Sequence, residues 1–280
     1  MRQLTRNAIL MVVLWGLAGT AWAEFPQDVP DRWQFQVGGM AATLDTEAGL
    51  SPAGGGIGAI VVFEDFFNLP IHDQAIRFDG SWRMTGRHLL DFGYVDFSRV
   101  AGRVIQRDIQ WGDYTFRTGA QVEAGIGTEF TYAAYRYDFM HQDQVRISGS
   151  FGISYMDLSA SLAATGGVLD SNMMPVVGSV KEEGNIALPV PLVGVQIDVA
   201  PHRRVALQLF TRFFFIDGFG IRGGVTETAV NLTWYVSRHF GFGGGFNRNS
   251  INIAEYESGN TKSRFTYDIH GLTGFLKFAF

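Results

Sequence analysis

The sequence predicts an all-β chain closed into an antiparallel transmembrane β-barrel. Three observations carry this. Apolar residues recur with period two in segment after segment. No apolar run after residue 23 is long enough to cross a bilayer as a helix. The chain is also rich in glycine and aromatics together, with 35 glycines and 14% aromatic residues against 18% charged and no cysteine. That composition excludes a disordered polymer and any disulfide framework or thiolate metal site. A net charge of −5 excludes a general nucleic-acid binder, which needs a basic excess to displace counterions.

Residues 1–23 read as an export leader. Arg2 and Arg6 form a positive start, Ile9 to Leu17 an apolar core, and Ala21-Trp22-Ala23 a small-x-small cleavage site. Cleavage is expected after Ala23, leaving residues 24–280 as a single barrel domain outside the cytoplasm. The apolar stretch is too short for a membrane anchor, which needs about 20 residues.

Ten strands are expected in order, near 33–45, 74–84, 88–101, 121–138, 144–162, 189–200, 204–216, 224–237, 240–256 and 264–280. The second alternates Ile76, Phe78, Gly80, Trp82 and Met84 with Arg77, Asp79, Ser81 and Arg83. The fifth alternates Val145, Ile147, Phe151, Ile153 and Tyr155 with Arg146, Ser148, Ser150 and Ser154. The seventh sets Val205, Leu207, Leu209, Phe213 and Phe215 against Arg204, Gln208 and Arg212. The second faces hold Gly and Ser rather than the Lys and Glu of a solvated sheet. That inverts a soluble sandwich, and it suits a wall with lipid outside and a polar lumen within. An open sheet edge cannot persist in hydrocarbon, so the strands must close.

Connection lengths set the topology. Short polar turns at 84–88, 139–144, 200–203 and 237–240 are expected on the periplasmic side. Longer links at 46–73, 102–120, 163–188, 216–223 and 257–263 are expected outside. Ile57–Phe63 either extends a strand above the membrane or pairs with a further one, so twelve strands is one alternative and eight another. Link 163–188, with Met173, Met174, Pro175, Val176 and Val177 among glycines, could serve ligand capture or adhesion, or fold inward as a plug.

The last ten residues, GLTGFLKFAF, alternate Leu272, Leu276, Phe278 and the terminal Phe280 on one face. This resembles the terminal strand of bacterial outer-membrane β-barrel proteins. The resemblance implies an outer-membrane location among lipid and lipopolysaccharide. It also implies that Leu276, Phe278 and Phe280 are read by the barrel-assembly machinery.

Candidate sites are sparse. His88, His141, His202 and His239 fall in turns, where a polar residue is ordinary, and His72 has Asp73 beside it on the opposite face. Asp268 and His270 are the one pair that shares a strand face, and a carboxylate beside an imidazole makes a general base. The pair resembles the Asp-His pair of outer-membrane proteases, which also need a second acidic pair across the rim. Its parity with Phe278 and Phe280 turns it outward unless a bulge intervenes. Arg99, Arg103 and Arg107 stand at the outer end of the third strand, where guanidinium groups could meet lipopolysaccharide phosphates. Asp45, Glu47, Glu64 and Asp65 lack ligand spacing, so no metal is expected; no nucleotide or hydrolase motif occurs, so neither is a cofactor. Inward Arg83, Asp91, Arg136, Arg146, Asp198, Arg204 and Lys277 lie within about 10–15 Å of the periplasmic rim. Cross-hairpin pairs Arg83–Asp91 and Asp198–Arg204 are expected in a net-positive layer, which is either a constriction that favours anions if the barrel conducts or a structural ion-pair plug with no transport role. The expected function is a non-enzymatic barrel: a narrow pore or passive facilitator for small molecules, or a structural surface protein. The alternatives are a rim hydrolase acting on lipid or peptide, and an adhesin.

Overall fold

In the computed structural model the described residues are 31–52, 59–62, 71–111, 114–142, 144–170, 172–218, 221–258 and 261–280. The export leader, its cleavage point after Ala23, Gly54–Gly58, Glu64 and Asp65 lie outside them.

Ten long antiparallel strands make the wall: β1 (Trp33–Pro52), β3 (His72–Thr85), β4 (His88–Val104), β7 (Gln121–His141), β8 (Val145–Thr165), β10 (Ser179–His202), β11 (Val205–Gly218), β12 (Ile221–Tyr235), β13 (Phe240–Ser258) and β14 (Thr261–Ala279). Neighbours in sequence pair, and β14 pairs back onto β1, which closes the barrel. Within the first long link, β2 (Ala59–Val62) pairs with the outer end of β1 rather than adding wall. Ten strands is therefore the count, not twelve or eight. The link expected at 163–188 is shorter than its composition suggested. Glycine-containing 179–188 is strand, paired with β8 from Ser179 onward.

The register fixes the tilt. A line of directly opposed residues starts at Trp33 and passes through Trp82, Leu90, Tyr135, Phe151, Val193, Phe213, Thr226, Ser250 and Asp268. It returns to β1 at Asp45, twelve residues above its start. A stagger of twelve over ten strands tilts them by about 40°.

Outward residues form an apolar belt whose lower edge is aromatic. Trp33 stacks on Trp82 with ring centres 5.2 Å apart, and Phe35, Phe78, Phe92, Tyr135 and Phe151 continue the row. Higher up, the belt ends in polar groups: Asp96, Glu129, Asp157, Arg248 and Asp268, with Glu129 and Asp157 six residues above Tyr135 and Phe151 on their strands.

β7, β8 and β10 outrun their neighbours. Two outer links fold back over the inner face of this extension as a small sheet of β5 (Ile109–Trp111), β6 (Tyr114–Phe116) and β9 (Val168–Leu169). Ile105, Phe116 and Val168 pack there on Val122, Ala124, Leu162 and Val180. Val176 joins this packing, whereas Met173, Met174 and Val177 are exposed at the tip.

Candidate functional site: the barrel interior

The interior has storeys of different chemistry. The lowest is ionic. Arg83 Nε lies 2.9 Å from an Asp31 carboxylate oxygen, and its Nη1 lies 2.8 Å from Asp138. Asp138 is wholly buried; it also accepts a hydrogen bond from the Ser148 hydroxyl at 2.7 Å and has His141 Nδ1 at 3.2 Å. Arg136 contacts Asp91 at 2.8 Å and Asp198 at 3.6 Å. Gln196 and Gln208 donate to Asp198, and Arg146 reaches Asp31 at 3.2 Å. Arg83, Arg136 and Arg146 with Asp31, Asp91 and Asp198 line a cavity of about 120 Å³ into which Lys277 also faces.

This layer corrects the expected pairing. Arg83 does not meet Asp91, because the tilt shifts level by about 1.2 residues per strand and brings Asp138, two strands away, to the height of Arg83. The same shift gives Asp91 to Arg136. Arg204 is exposed in the turn before β11 and takes no part, so Asp198–Arg204 does not form. Arg83, Arg136, Arg146 and Lys277 face Asp31, Asp91, Asp138 and Asp198, four against four. The layer is balanced, not net positive. Asp31 and Asp138 were missed because one precedes the first expected strand and the other is the last residue of its expected strand, next to the turn at 139–144.

A strut crosses the lumen above it. Arg77 on β3 pairs with Asp79 at 2.7 Å and with Glu227 on the opposite wall at 2.9 Å. Arg212 reaches Glu227 at 3.3 Å and lies 4.3 Å over the Tyr132 ring. The Tyr132 hydroxyl donates to Asp79 at 2.9 Å, and the Asn247 amide donates to Glu227 at 3.1 Å. Gly93, between Asp79 and Tyr132 in register, makes this possible: a Cβ there would overlap the Tyr132 ring.

The upper storey is apolar, against the expectation of a polar lumen throughout. Met40, Leu44, Phe97, Met156, Ile251, Tyr267 and Ile269 are almost wholly buried in one cluster. Arg99 belongs to this storey. It is 3% exposed, donates to the Thr46 hydroxyl at 2.6 Å and lies over the Tyr267 ring. It shares parity with Asp91 and therefore turns inward, away from any lipopolysaccharide. Arg103 follows the same face, and only Arg107 is exposed in the link.

Asp268 and His270 lie on the outer surface, since β14 keeps an unbroken register with β1 from Thr261 to Ala279. Asp268 is engaged by Arg248 on the neighbouring strand, and His270 Nδ1 stands 3.6 Å away. A carboxylate already claimed by a guanidinium, on a wall facing lipid headgroups, gives no general base at a rim cleft. Asp45 points outward beside it, and among the described residues no three metal-ligating side chains converge.

No protein-family model and no curated protein matches the chain. Among solved structures, the outer membrane protease OmpT from Escherichia coli aligns with 94% of this chain and all of its own at 11% identity, with a TM-score of 0.57. The Pseudomonas putida toluene transporter TodX aligns over 90% of this chain and 91% of its own, at 6% identity and a TM-score of 0.37. OprG from Pseudomonas aeruginosa covers 90% and 99%, at 10% and 0.36. The fold is that of an outer-membrane β-barrel protein. Such a barrel turns its apolar face to lipid, so its chemistry belongs either to the interior or to the parts above the polar row.

Proposed function

We propose that this protein is a non-conducting barrel of the bacterial outer membrane, exported by its leader with cleavage after Ala23, that acts as a structural surface protein rather than as a pore. The observation that supports this reading is the stacking of two seals in one lumen: the Arg77–Glu227 strut and, above it, the apolar cluster around Phe97 and Tyr267. A solute crossing from either side would have to break a paired, buried ion network and then cross an apolar plug, and both steps are costly. On this reading the periplasmic ionic layer is part of the plug and sets no ion selectivity. Lipid and lipopolysaccharide are its surroundings, and the barrel-assembly machinery is its partner during biogenesis.

Planar-bilayer recording of the purified, refolded protein tests this. Wild type is expected to show no regular conductance steps. A large conductance, of either selectivity, lost when Arg77 and Glu227 are crosslinked as a cysteine pair, would overturn the reading and restore the pore.

A further inference from the structure

Two prolines divide the barrel wall. The Ala200 amide donates to the Gln144 carbonyl at 2.9 Å, so even-numbered residues of β10 aim their amides at β8. The β8–β10 register then runs without a shift from Val199 to Ser179, and amides alternate sides along a strand. Odd-numbered residues therefore aim at β11. Positions 189 and 191 are both odd and both proline, with no N–H to donate. Among the described residues the β10–β11 ladder accordingly stops at Val193–Phe213. Yet β10 goes on to Ser179 against β8, and β11 goes on to Gly218 against β12. The outer part of the wall is unzipped along this seam, as it also is between β3 and β4 above Ile76–Asp96, and of the two only the β10–β11 seam carries prolines at its lip.

A second observation lies behind the seam. A cavity of about 60 Å³ sits between strut and apolar plug. Pro191 and Leu192 from one lip and Phe213 from the other line it, and Met156, Val190 and Val225 lie deeper. Tyr132 and Arg212 form its floor. The strut residues Arg77 and Arg212 lie below it and Met156 of the apolar cluster above, so we treat it as a niche. Outside, Ile153, Val193 and Phe213 are each about half exposed and continue the lipid-facing belt up to the lips.

We propose that the β10–β11 seam is a lateral opening through which the end of an acyl chain, belonging to a lipid of the surrounding leaflet, enters this niche and is held there. The proposal rests on the membrane placement argued above. An acyl end matches the apolar walls, needs no hydrogen bond from the broken ladder, and reaches the niche directly from the belt. A few waters would also fit by volume, and they would find polar partners at the floor and at Ser154, Glu227 and Asn249, away from the Pro191–Phe213 lips.

Photolabelling tests it. The folded protein is placed in phosphatidylcholine vesicles containing a phospholipid whose acyl chain ends in a diazirine, and the adducts are mapped by mass spectrometry. A parallel sample carries free palmitic acid with the same terminal diazirine. The lipid probe is expected to label inward Met156, Leu192 or Val225. Labelling confined to outward residues such as Phe151 and Phe242 would overturn the proposal, as would inward labelling by the free acid alone. Replacing both prolines (P189V with P191V) restores two donors and should extend the ladder to Phe215 and Asp217. Inward labelling should then fall by about tenfold, the factor for losing ~1.4 kcal/mol of binding, with outward labelling and the heat-modifiable folded band unchanged. Unaltered inward labelling in that variant would sink the role of the seam. Conductance in the bilayer assay would refute the sealed lumen without changing the labelling pattern, so the two failures are distinguishable.

Discussion

Trp33 and Phe280 exchange two backbone hydrogen bonds: the Trp33 amide donates to the Phe280 carbonyl at 2.9 Å, and the Phe280 amide donates to the Trp33 carbonyl at 2.8 Å. The first and last wall residues are thus a mutual pair at the periplasmic rim. The Phe280 ring is further stacked on His239 with centres 6.1 Å apart.

Deleting Phe280 removes both bonds and the terminal aromatic. The truncated chain is expected to reach the outer membrane at a small fraction of the wild-type level, with most of it in the periplasm. Fractionation and immunoblotting check this, and normal outer-membrane levels would refute the role of the last residue. F280Y, which keeps ring and backbone, should restore assembly.

Asp138 is the most deeply buried carboxylate of the basal layer, and D138A leaves Arg83 with Asp31 as its carboxylate and the Gly86 carbonyl as a neutral acceptor. Breaking a buried pair by removing one partner costs about 3–5 kcal/mol. Urea unfolding in vesicles should show a loss of that size, whereas S148A, which removes one hydrogen bond, should cost about 1 kcal/mol.

Arg99 and Arg107 look alike in the sequence and differ in place. R99A should lower stability by about 2 kcal/mol, since a buried charge-assisted bond to Thr46 is lost. R107A, on the exposed link, should stay within about 0.5 kcal/mol. Equal losses would argue against the inward turn of Arg99.

Asp108 ties the outer link that carries β5 and β6. It accepts from the Thr118 amide at 2.7 Å and from the Thr118 hydroxyl at 2.9 Å, with Arg117 3.2 Å away. These bonds, the backbone one foremost, hold its carboxyl below the ordinary value of 3.8. A depressed carboxylate contributes to the folded link above its unfolded pKa, and the contribution is lost as pH falls through the lower folded value. The protection of the Thr118 amide, its exchange rate relative to the unstructured rate at the same pH, should therefore be high at neutral pH and fall below about pH 4. T118A should move that loss of protection to higher pH.

Much of this was legible in the residues. All ten strands and their faces follow from period-two alternation, because one face meets lipid and cannot slip by one residue without burying charge there. Parity also turned Asp268 and His270 outward, and applied to Arg99 it would have turned that residue inward. Partners were less legible. Arg83 with Asp138, and Arg77 with Glu227, join residues 55 and 150 positions apart. They meet through the stagger of the closed barrel and across its bore, and neither quantity is visible in a single hairpin. The apolar upper storey was hidden for a related reason. Met40 and Leu44 come from one strand and Phe97 and Met156 from two others, and they make a plug only once the wall is closed.

The two kinds of filling leave the barrel with unequal tolerance to change along its height. Near the outer end, an interior substitution is judged by volume, so one aliphatic residue can replace another singly and the neighbours can repack. Near the periplasmic end, the interior is judged by charge parity. A carboxylate there can be lost only together with the guanidinium it neutralises, and such pairs should change in concert or not at all.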